Sequence, residues 1–172
     1  SGLSWEKYAA LGIPFENRGH RLDEYIESML IAWRDERATY HGQFVDFENV
    51  VLNPKPISKG GPPILIGGDS TAAMKRAARL GDGWYGWWAQ PDIEQHLNNL
   101  RSIMNDAGRD VSDDDFSFRL GLPLGSLDPQ IINDHVQQAT DLGIDELILA
   151  PPIPVRDFDR HLSSVAGAAG LI

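Results

Sequence analysis

A pair of glycines stands between a short apolar run and an alanine-rich segment. The run Pro63-Ile64-Leu65-Ile66 is followed at once by Gly67-Gly68-Asp69-Ser70. Short apolar runs are typical of strands buried on both faces, and glycines let the backbone approach an oxyanion closely. A helix that begins directly after them offers unpaired N–H groups and a positive dipole end. The pattern therefore predicts a phosphate site at this turn.

A simpler interpretation of the same turn is a tight strand–helix connection in which Asp69 or Ser70 only caps the helix. The carboxylate of Asp69 would repel a phosphate. We therefore expect a phosphate here only if the Asp69 side chain turns back to cap the helix.

Aromatic side chains form the second chemical signal. Trp84, Trp87 and Trp88 are three of the five tryptophans in the chain, and they lie within one predicted strand. Alternate strand residues face opposite sides. One of two pairs, either Trp84 and Trp88 or Tyr85 and Trp87, must therefore point toward the axis or the mouth of a barrel. These side chains could line a substrate pocket for a planar ring or form ordinary aromatic core. We expect at least one tryptophan to be partly exposed at the carboxyl end of the strand.

The titratable residues predict no protein-based chemistry. The five histidines are scattered without metal-ligand spacing, and those in predicted helices, His96, His135 and His161, are expected to be solvated on an outer layer. No nucleophile elbow or carboxylate pair is present. The sequence predicts no metal site and assigns no catalytic residue, which favours chemistry carried by a cofactor.

Alternating strands and helices must position these residues. An apolar stripe predicts a helix over 18–34, and residues 38–62 are predicted to form an excursion with a short hairpin and a Pro-rich link. Predicted strands at 63–66, 83–88, 116–124 and 146–150 alternate with helices at 70–80, 92–107, 128–142 and 157–169.

Such alternation favours an α/β fold with parallel strands. Because no G-x-G-x-x-G motif follows the first strand, a TIM barrel is preferred to a dinucleotide-binding open sheet. We expect a single domain over 1–172 that forms about four β/α units, the C-terminal part of a TIM (β/α)8 barrel. The apolar side chains of its strands are expected to leave an open apolar patch on the incomplete inner face.

Composition excludes several classes of partner. The 172 residues carry a net charge of −10 and no cysteine. A nucleic-acid surface needs clustered Lys and Arg, and no apolar run reaches the length of a membrane span. We therefore expect no nucleic acid, membrane or disulfide framework, and a cytoplasmic location.

Several segments resemble a known family when they are taken in order. They are Gly2-Leu3-Ser4-Trp5, Tyr8 to Gly19, the helix from Arg21 to Trp33, His41 to Phe44, Pro54-Lys55-Pro56, Ile64 to Gly68, and Ala77 to Trp84. This order, from Gly2 to about Ala150, resembles the bacterial luciferase-like oxidoreductases, particularly the branch that uses the deazaflavin coenzyme F-420.

The resemblance implies a TIM barrel with a cofactor across the C-terminal mouth of its strands. The implied phosphate grip consists of backbone N–H groups of Ile66, Gly67, Gly68, Asp69 and Ser70, and a turn at Gly2, Leu3 and Ser4 would run near the cofactor. The sequence departs from the family at Ser4, where glycine is usual, and at Asp69, where a neutral residue or histidine is common.

The function implied by the resemblance is that of an oxidoreductase or monooxygenase with coenzyme F-420 or FMN, acting on a small organic substrate. One alternative is a non-catalytic cofactor-binding or assembly half-barrel, and another is a sugar-phosphate TIM-barrel enzyme. Family members begin with further β/α units, so we expect either a missing N-terminal half or a homodimer that closes the barrel.

Overall fold

The computed structural model describes residues 5–88, 92–110, 116–150 and 157–170. Its helices are α1 (Trp5–Ala10), α2 (Arg18–Arg34), α3 (Thr71–Leu80), α4 (Ile93–Asp106), α5 (Pro129–Asp141) and α6 (Phe158–Ala168). Its strands are β1 (Ala38–His41), β2 (Asp46–Val50), β3 (Leu65–Gly67), β4 (Gly83–Trp87), β5 (Ser117–Pro123) and β6 (Glu146–Ala150).

The predicted α/β architecture is confirmed. Strands β3-β4-β5-β6 form a parallel sheet in chain order, each joined to the next through a helix. Strands β1 and β2 form the predicted hairpin, a separate antiparallel pair within the 38–62 excursion. The carboxyl ends of all four parallel strands therefore lie at one edge of the sheet, where α/β proteins bind ligands.

The apolar core lies on one face of the parallel sheet, which we call the helix face. Ile66, Trp84, Phe118 and Leu120 are buried there in one cluster with side chains from α3 and α4. Leu122 belongs to a second cluster, with Ile132 of α5 and Val165 of α6. The sheet is thus held from one side by the helices that connect its strands.

The opposite face, which we call the axis face, carries the alternate residues of each strand. Strand register places Tyr85 beside Arg119, and Arg119 beside Glu146. Leu120, Leu122, Leu147 and Leu149 lie on the helix face and so do not form the expected open apolar patch. Trp87 and Ile148 of the axis face are exposed, at 43% and 41%. The residues that alternate with them include Gly, Ser, Arg and Glu.

Two aspartates fix the strand register at the amino ends of the parallel strands, opposite the carboxyl edge of the sheet. The Asp82 carboxylate accepts a hydrogen bond of 2.7 Å from the Ile64 amide. The Asp145 carboxylate accepts one of 2.7 Å from the Phe118 amide. Each aspartate lies just before its own strand and accepts its hydrogen bond from a residue near the start of the preceding strand. These two bonds fix the position of β4 along β3 and of β6 along β5.

Helix α2 is less buried than its apolar stripe predicts. Ile26 is buried, but Leu22, Tyr25 and Met29 are exposed. Charged contacts attach α2 to the rest of the fold instead: Arg76 and Arg79 of α3 both pair with Asp23.

Glu24 holds the hairpin loop against α2. Its carboxylate accepts hydrogen bonds from the amides of Gln43, Phe44 and Val45, at 2.9, 2.7 and 3.1 Å. Burial raises the pKa of Glu24, but these three backbone hydrogen bonds outweigh burial and bring its pKa below the ordinary value. The loop is therefore secured best when Glu24 is ionised.

None of the helices in the described ranges is long and apolar enough to cross a membrane. Over the same ranges, no cluster of three or more His, Asp or Glu side chains could hold a metal ion.

Candidate functional site

The strand–glycine–helix turn lies at the carboxyl edge of the parallel sheet. Strand β3 ends at Gly67, and α3 begins at Thr71. Gly68 has a φ of 120°, which side chains rarely tolerate, and its amide donates to the Tyr85 carbonyl at 3.3 Å. Ser70 caps α3 by accepting from the Ala73 amide at 3.2 Å. Other first-turn amides have no partner within the helix, as at any helix N-terminus.

Trp84 fixes the orientation of the peptide that follows Gly68. Its indole Nε1 donates to the Gly68 carbonyl at 2.9 Å, and its side chain is 0% exposed. Carbonyl and N–H point in opposite directions across a trans peptide. Because the Gly68 carbonyl points inward to Trp84, the Asp69 N–H points outward, away from the core. The turn can thus offer this N–H, the first-turn amides and the α3 dipole to an anion.

The capping expected of Asp69 is wrong, because Ser70 caps α3 and the Asp69 side chain points toward α4 instead. Its Oδ1 lies 3.7 Å from Nε2 of His96 on α4. The His96 ring in turn packs on Trp84, with centroids 5.6 Å apart. The expectation that His96 is solvated is wrong, because His96 follows Ile93 by three positions and precedes Leu100 by four. It therefore lies on the buried stripe of α4.

The structure separates the three predicted pocket tryptophans. Trp84 lies on the helix face beneath the turn, and Trp88 packs against both core clusters and the ring of His135, 5.7 Å away. Trp87 is 43% exposed at the carboxyl end of β4, as expected for at least one of the three. Only Trp87 stands where it could contact a ligand on the axis face.

Tyr85 shares the axis face with Trp87, and the two rings meet edge to face with centroids 6.0 Å apart. Both lean over Gly121, where an added Cβ would lie 2.5 Å from the Tyr85 hydroxyl and 3.0 Å from the Trp87 ring. Gly67 pairs with Tyr85 in the sheet register, so the aromatic pair adjoins the turn. The strand period alone leaves the choice of face open, and the strand register resolves it.

The charged residues of the axis face lie two and three strands from the turn, on β5 and β6. Arg119 pairs with Glu146 at 2.8 Å and donates to Ser117 at 3.1 Å. Glu146 is the first residue of β6 and Ser117 the first of β5, so this group lies toward the amino ends of the strands. Among the predicted site residues, the turn from Ile66 to Ser70 follows β3, the strand that pairs with the strand of Trp87, and Ile66 itself is buried beneath the turn. Gly2, Leu3 and Ser4 lie outside the described residues.

Comparison with known proteins gives a family match over most of the chain. The family model for luciferase-like monooxygenases matches residues 1–150. An uncharacterized protein of Mycobacterium tuberculosis is 32% identical over 155 residues, covering 88% of this chain and 51% of that protein. An FMNH2-dependent dimethylsulfone monooxygenase of Pseudomonas fluorescens is 38% identical over 88 residues, covering 49% of this chain and 23% of the enzyme. The chain spans about half the length of the mycobacterial proteins that it matches.

Solved structures share the fold at low sequence identity. EDTA monooxygenase from Chelativorans superposes with a TM-score of 0.72 at 13% identity, covering 99% of this chain and 64% of that one. A coenzyme F-420-dependent secondary alcohol dehydrogenase superposes with a TM-score of 0.70 at 14% identity, covering 90% of this chain and 63% of that one. The fold is that of part of a luciferase-like TIM barrel, as predicted.

Proposed function

Because the chain belongs to the luciferase-like monooxygenase family, we propose that it binds a flavin-type cofactor, coenzyme F-420 or FMN, through the turn from Ile66 to Ser70. The proposed activity is hydride transfer or monooxygenation on a small organic substrate. The observation that carries the proposal is the Gly68 peptide, whose carbonyl is held inward by Trp84 at 2.9 Å. That contact leaves the Asp69 N–H facing outward at the start of α3.

The shape of the turn supports the proposal of a phosphate at this position. An added Cβ at Gly67 would meet nothing closer than the Tyr85 carbonyl, 3.8 Å away, so the backbone here is accessible on the axis side. Gly68 supplies the positive φ that directs the chain into α3. The α3 dipole and its first-turn amides favour an anion at this point. Gly2, Leu3 and Ser4 are proposed as further cofactor contacts from the family resemblance alone.

Tyr85 and Trp87 are proposed to contact the cofactor ring or the substrate. Both lie on the axis face at the edge where β3 ends, and Trp87 is partly exposed. Flat aromatic surfaces suit a planar ring system. Trp84 and Trp88 are proposed to act only from beneath, Trp84 through its hydrogen bond to the turn.

The bound cofactor would supply hydride transfer and, in the case of FMN, oxygen chemistry. The residues of this chain would hold the phosphate, orient the ring and limit access of water to it. The names of the related proteins support both cofactors, since they include an FMNH2-dependent monooxygenase and an F-420-dependent dehydrogenase. We assign no catalytic residue.

A non-catalytic cofactor-binding half-barrel is the second candidate. It is favoured by one observation: the chain spans about half of the relatives that it matches. The two candidates differ in turnover. An enzyme would oxidise its reduced cofactor, or reduce its oxidised cofactor, faster when substrate is added, whereas a binding module would hold the cofactor without this response.

We further propose that the axis face is covered in the working protein, either by an N-terminal half of the barrel or by a second copy of this chain. Arg119, Glu146 and the aromatic pair lie on the face opposite to the one on which α3, α4, α5 and α6 pack in the described part of the chain. A bare sheet edge also invites pairing. Light scattering at micromolar concentration tests the homodimer: a dimer supports it, and a stable monomer rules it out for this chain.

A fluorescence titration tests the cofactor proposal directly. FMN and coenzyme F-420 are each added to the chain, and quenching of cofactor or tryptophan fluorescence is followed. Saturable binding by either one supports the proposal, and the tighter one identifies the cofactor. Absence of saturable binding by both would refute it.

A cytoplasmic location is a separate proposal, and the lack of cysteine supports it.

A further inference from the structure

Asp69 and His96 form a buried polar contact directly beneath the proposed phosphate turn. Oδ1 of Asp69 and Nε2 of His96 are 3.7 Å apart, and their side chains are only 23% and 17% exposed. Both atoms are buried, and neither has a hydrogen-bond partner among the described residues. Buried polar atoms in native proteins are nearly always paired, so these two atoms are the natural partners of each other.

The contact is continuous with the turn itself. The His96 ring packs on Trp84, and Trp84 donates to the Gly68 carbonyl. The backbone amide of His96 is bonded to the Asp92 carbonyl at 3.2 Å, and the Asp92 side chain is occupied in capping Gln95 at 3.0 Å. His96 is thus fixed on α4, with its imidazole directed at Asp69.

A carboxylate in this turn opposes the binding of a phosphate, because like charges repel. Two things reduce that repulsion here. Asp69 is turned to the inner side of the turn, and an imidazolium at His96 would compensate its charge. A proton on Nε2 is in any case needed for the ring to face a carboxylate oxygen, since two acceptors do not bond.

We propose that His96 is a positioning residue for the cofactor phosphate: as the imidazolium, it holds the Asp69 carboxylate below the turn and compensates its charge. The inference rests on the proposed function and deepens it. It explains how a luciferase-like turn accommodates an aspartate, and it assigns the task to a residue of the next helix along the chain.

The test separates the phosphate from the ring. Affinities are measured for phosphate-bearing and phosphate-free forms of each cofactor: FMN with riboflavin, and coenzyme F-420 with its phosphate-free deazaflavin core. His96→Gln should weaken the phosphate-bearing form by about tenfold or more, the size of the effect that one nearby like charge has on an ionisation equilibrium, because the Asp69 charge is then uncompensated. The phosphate-free form should change by less than about twofold. His135→Gln is the matched control, because His135 packs on Trp88 rather than Trp84.

Asp69→Asn supplies the second arm of the test. Combined with His96→Gln, it should restore the affinity for the phosphate-bearing form, since no uncompensated carboxylate then remains. Alone, it should strengthen that affinity, which keeps the inference testable if His96→Gln does not fold.

Three results would overturn the inference while leaving the proposed function standing. They are an equal loss for both forms in His96→Gln, a loss that persists in the double variant, and weaker phosphate selectivity in Asp69→Asn. Failure of the parent chain to bind any of the four compounds would instead overturn the proposed function, and this inference with it.

Discussion

Replacing Gly68 by alanine should destabilise the fold, and the same change at Gly67 should not. Gly68 has a φ of 120°, and an added Cβ would lie 3.2 Å from the Cβ of Ala73. A non-glycine residue in such a conformation costs about 1–3 kcal/mol, and the close contact adds to that cost. At Gly67 the nearest atom would be 3.8 Å away and the backbone is not in the positive-φ region. Gly67→Ala should therefore be neutral, or stabilising by at most about 1 kcal/mol.

The measurement is urea unfolding of the three proteins, followed by tryptophan fluorescence and by circular dichroism. The prediction concerns the difference between the variants, which cancels any common effect of adding a methyl group. Equal unfolding free energies for Gly67→Ala and Gly68→Ala would refute the reasoning from backbone conformation. The bulkier Gly68→Val should also weaken cofactor binding, by about 1.5–3 kcal/mol for a lost hydrogen bond to a charged group. Unchanged affinity in Gly68→Val would contradict the phosphate grip.

Three further predictions concern the supports of the site. Trp84→Phe leaves the Gly68 carbonyl buried without its donor, so urea unfolding should show a loss of about 1–3 kcal/mol; an unchanged midpoint would count against this role. Glu24→Gln should lower the melting temperature at pH 7. This difference from the parent should shrink as the pH falls below 4.5, the ordinary pKa of Glu24, because the pKa of Glu24 is lower still in the folded state. A difference in melting temperature that does not depend on pH would contradict this. Burial and a hydrogen bond to Glu27 raise the pKa of Tyr40 to about 12. The contribution of the Tyr40 hydroxyl to the stability of the fold is therefore present below pH 10 and is lost as the pH rises through 12. In an absorbance titration, Tyr40→Phe should remove the latest-ionising phenol, and persistence of that phenol in Tyr40→Phe would be the contrary result.

Strands and helices of this chain could be predicted from sequence because their signals are local. The hydrophobic period of 3.6 marks α4 and α5, and capping aspartates precede both helices, at Asp92 and Asp128. Short apolar runs ended by glycine mark β3 in the same way. The observed bounds of β6 are those predicted, 146–150, because Gly143 ends the preceding helix sharply. Helix α1 was not predicted, since its six residues contain too few turns for a period to emerge.

The side that each residue faces was harder to predict than the element containing it. A strand period gives two alternating sets, but nothing local says which set meets the helices. Trp84 and Trp87 were equally good pocket candidates by residue type. Their odd spacing puts them on opposite faces, but only the pairing of Trp84 with the buried Phe118 shows that Trp84 is the one that meets the helices. The apolar stripe of α2 misled for a related reason. Leu22 and Met29 fit a buried face by spacing, yet α2 is attached largely through its charged residues.

His96 shows that one part of the site could have been found from sequence. Its spacing from Ile93 and Leu100 puts it on the buried stripe of α4, where a polar residue needs a partner. What spacing cannot reveal is the identity of that partner. Asp69 is 27 positions earlier in the chain, and it meets His96 only because β3 and β4 are neighbours and α4 packs on α3. Contacts between sequence-distant elements are fixed by topology, and they are the ones that carry the proposed site.

The glycines of the axis face explain how the sheet leaves room for a ligand. Glycine weakens a strand, so its presence in a sheet interior calls for a reason. At Gly83 an added Cβ would lie 2.5 Å from a methyl of Leu65, and at Gly121 it would lie 2.5 Å from the Tyr85 hydroxyl. In both cases a side chain of the neighbouring strand lies over the glycine. Tyr85 and Trp87 therefore lean toward β5, on the side away from the turn at Gly67. These two rings therefore leave the backbone beside Gly67 uncovered. The proposed binding of a planar ring, with its phosphate at the start of α3, requires that uncovered backbone.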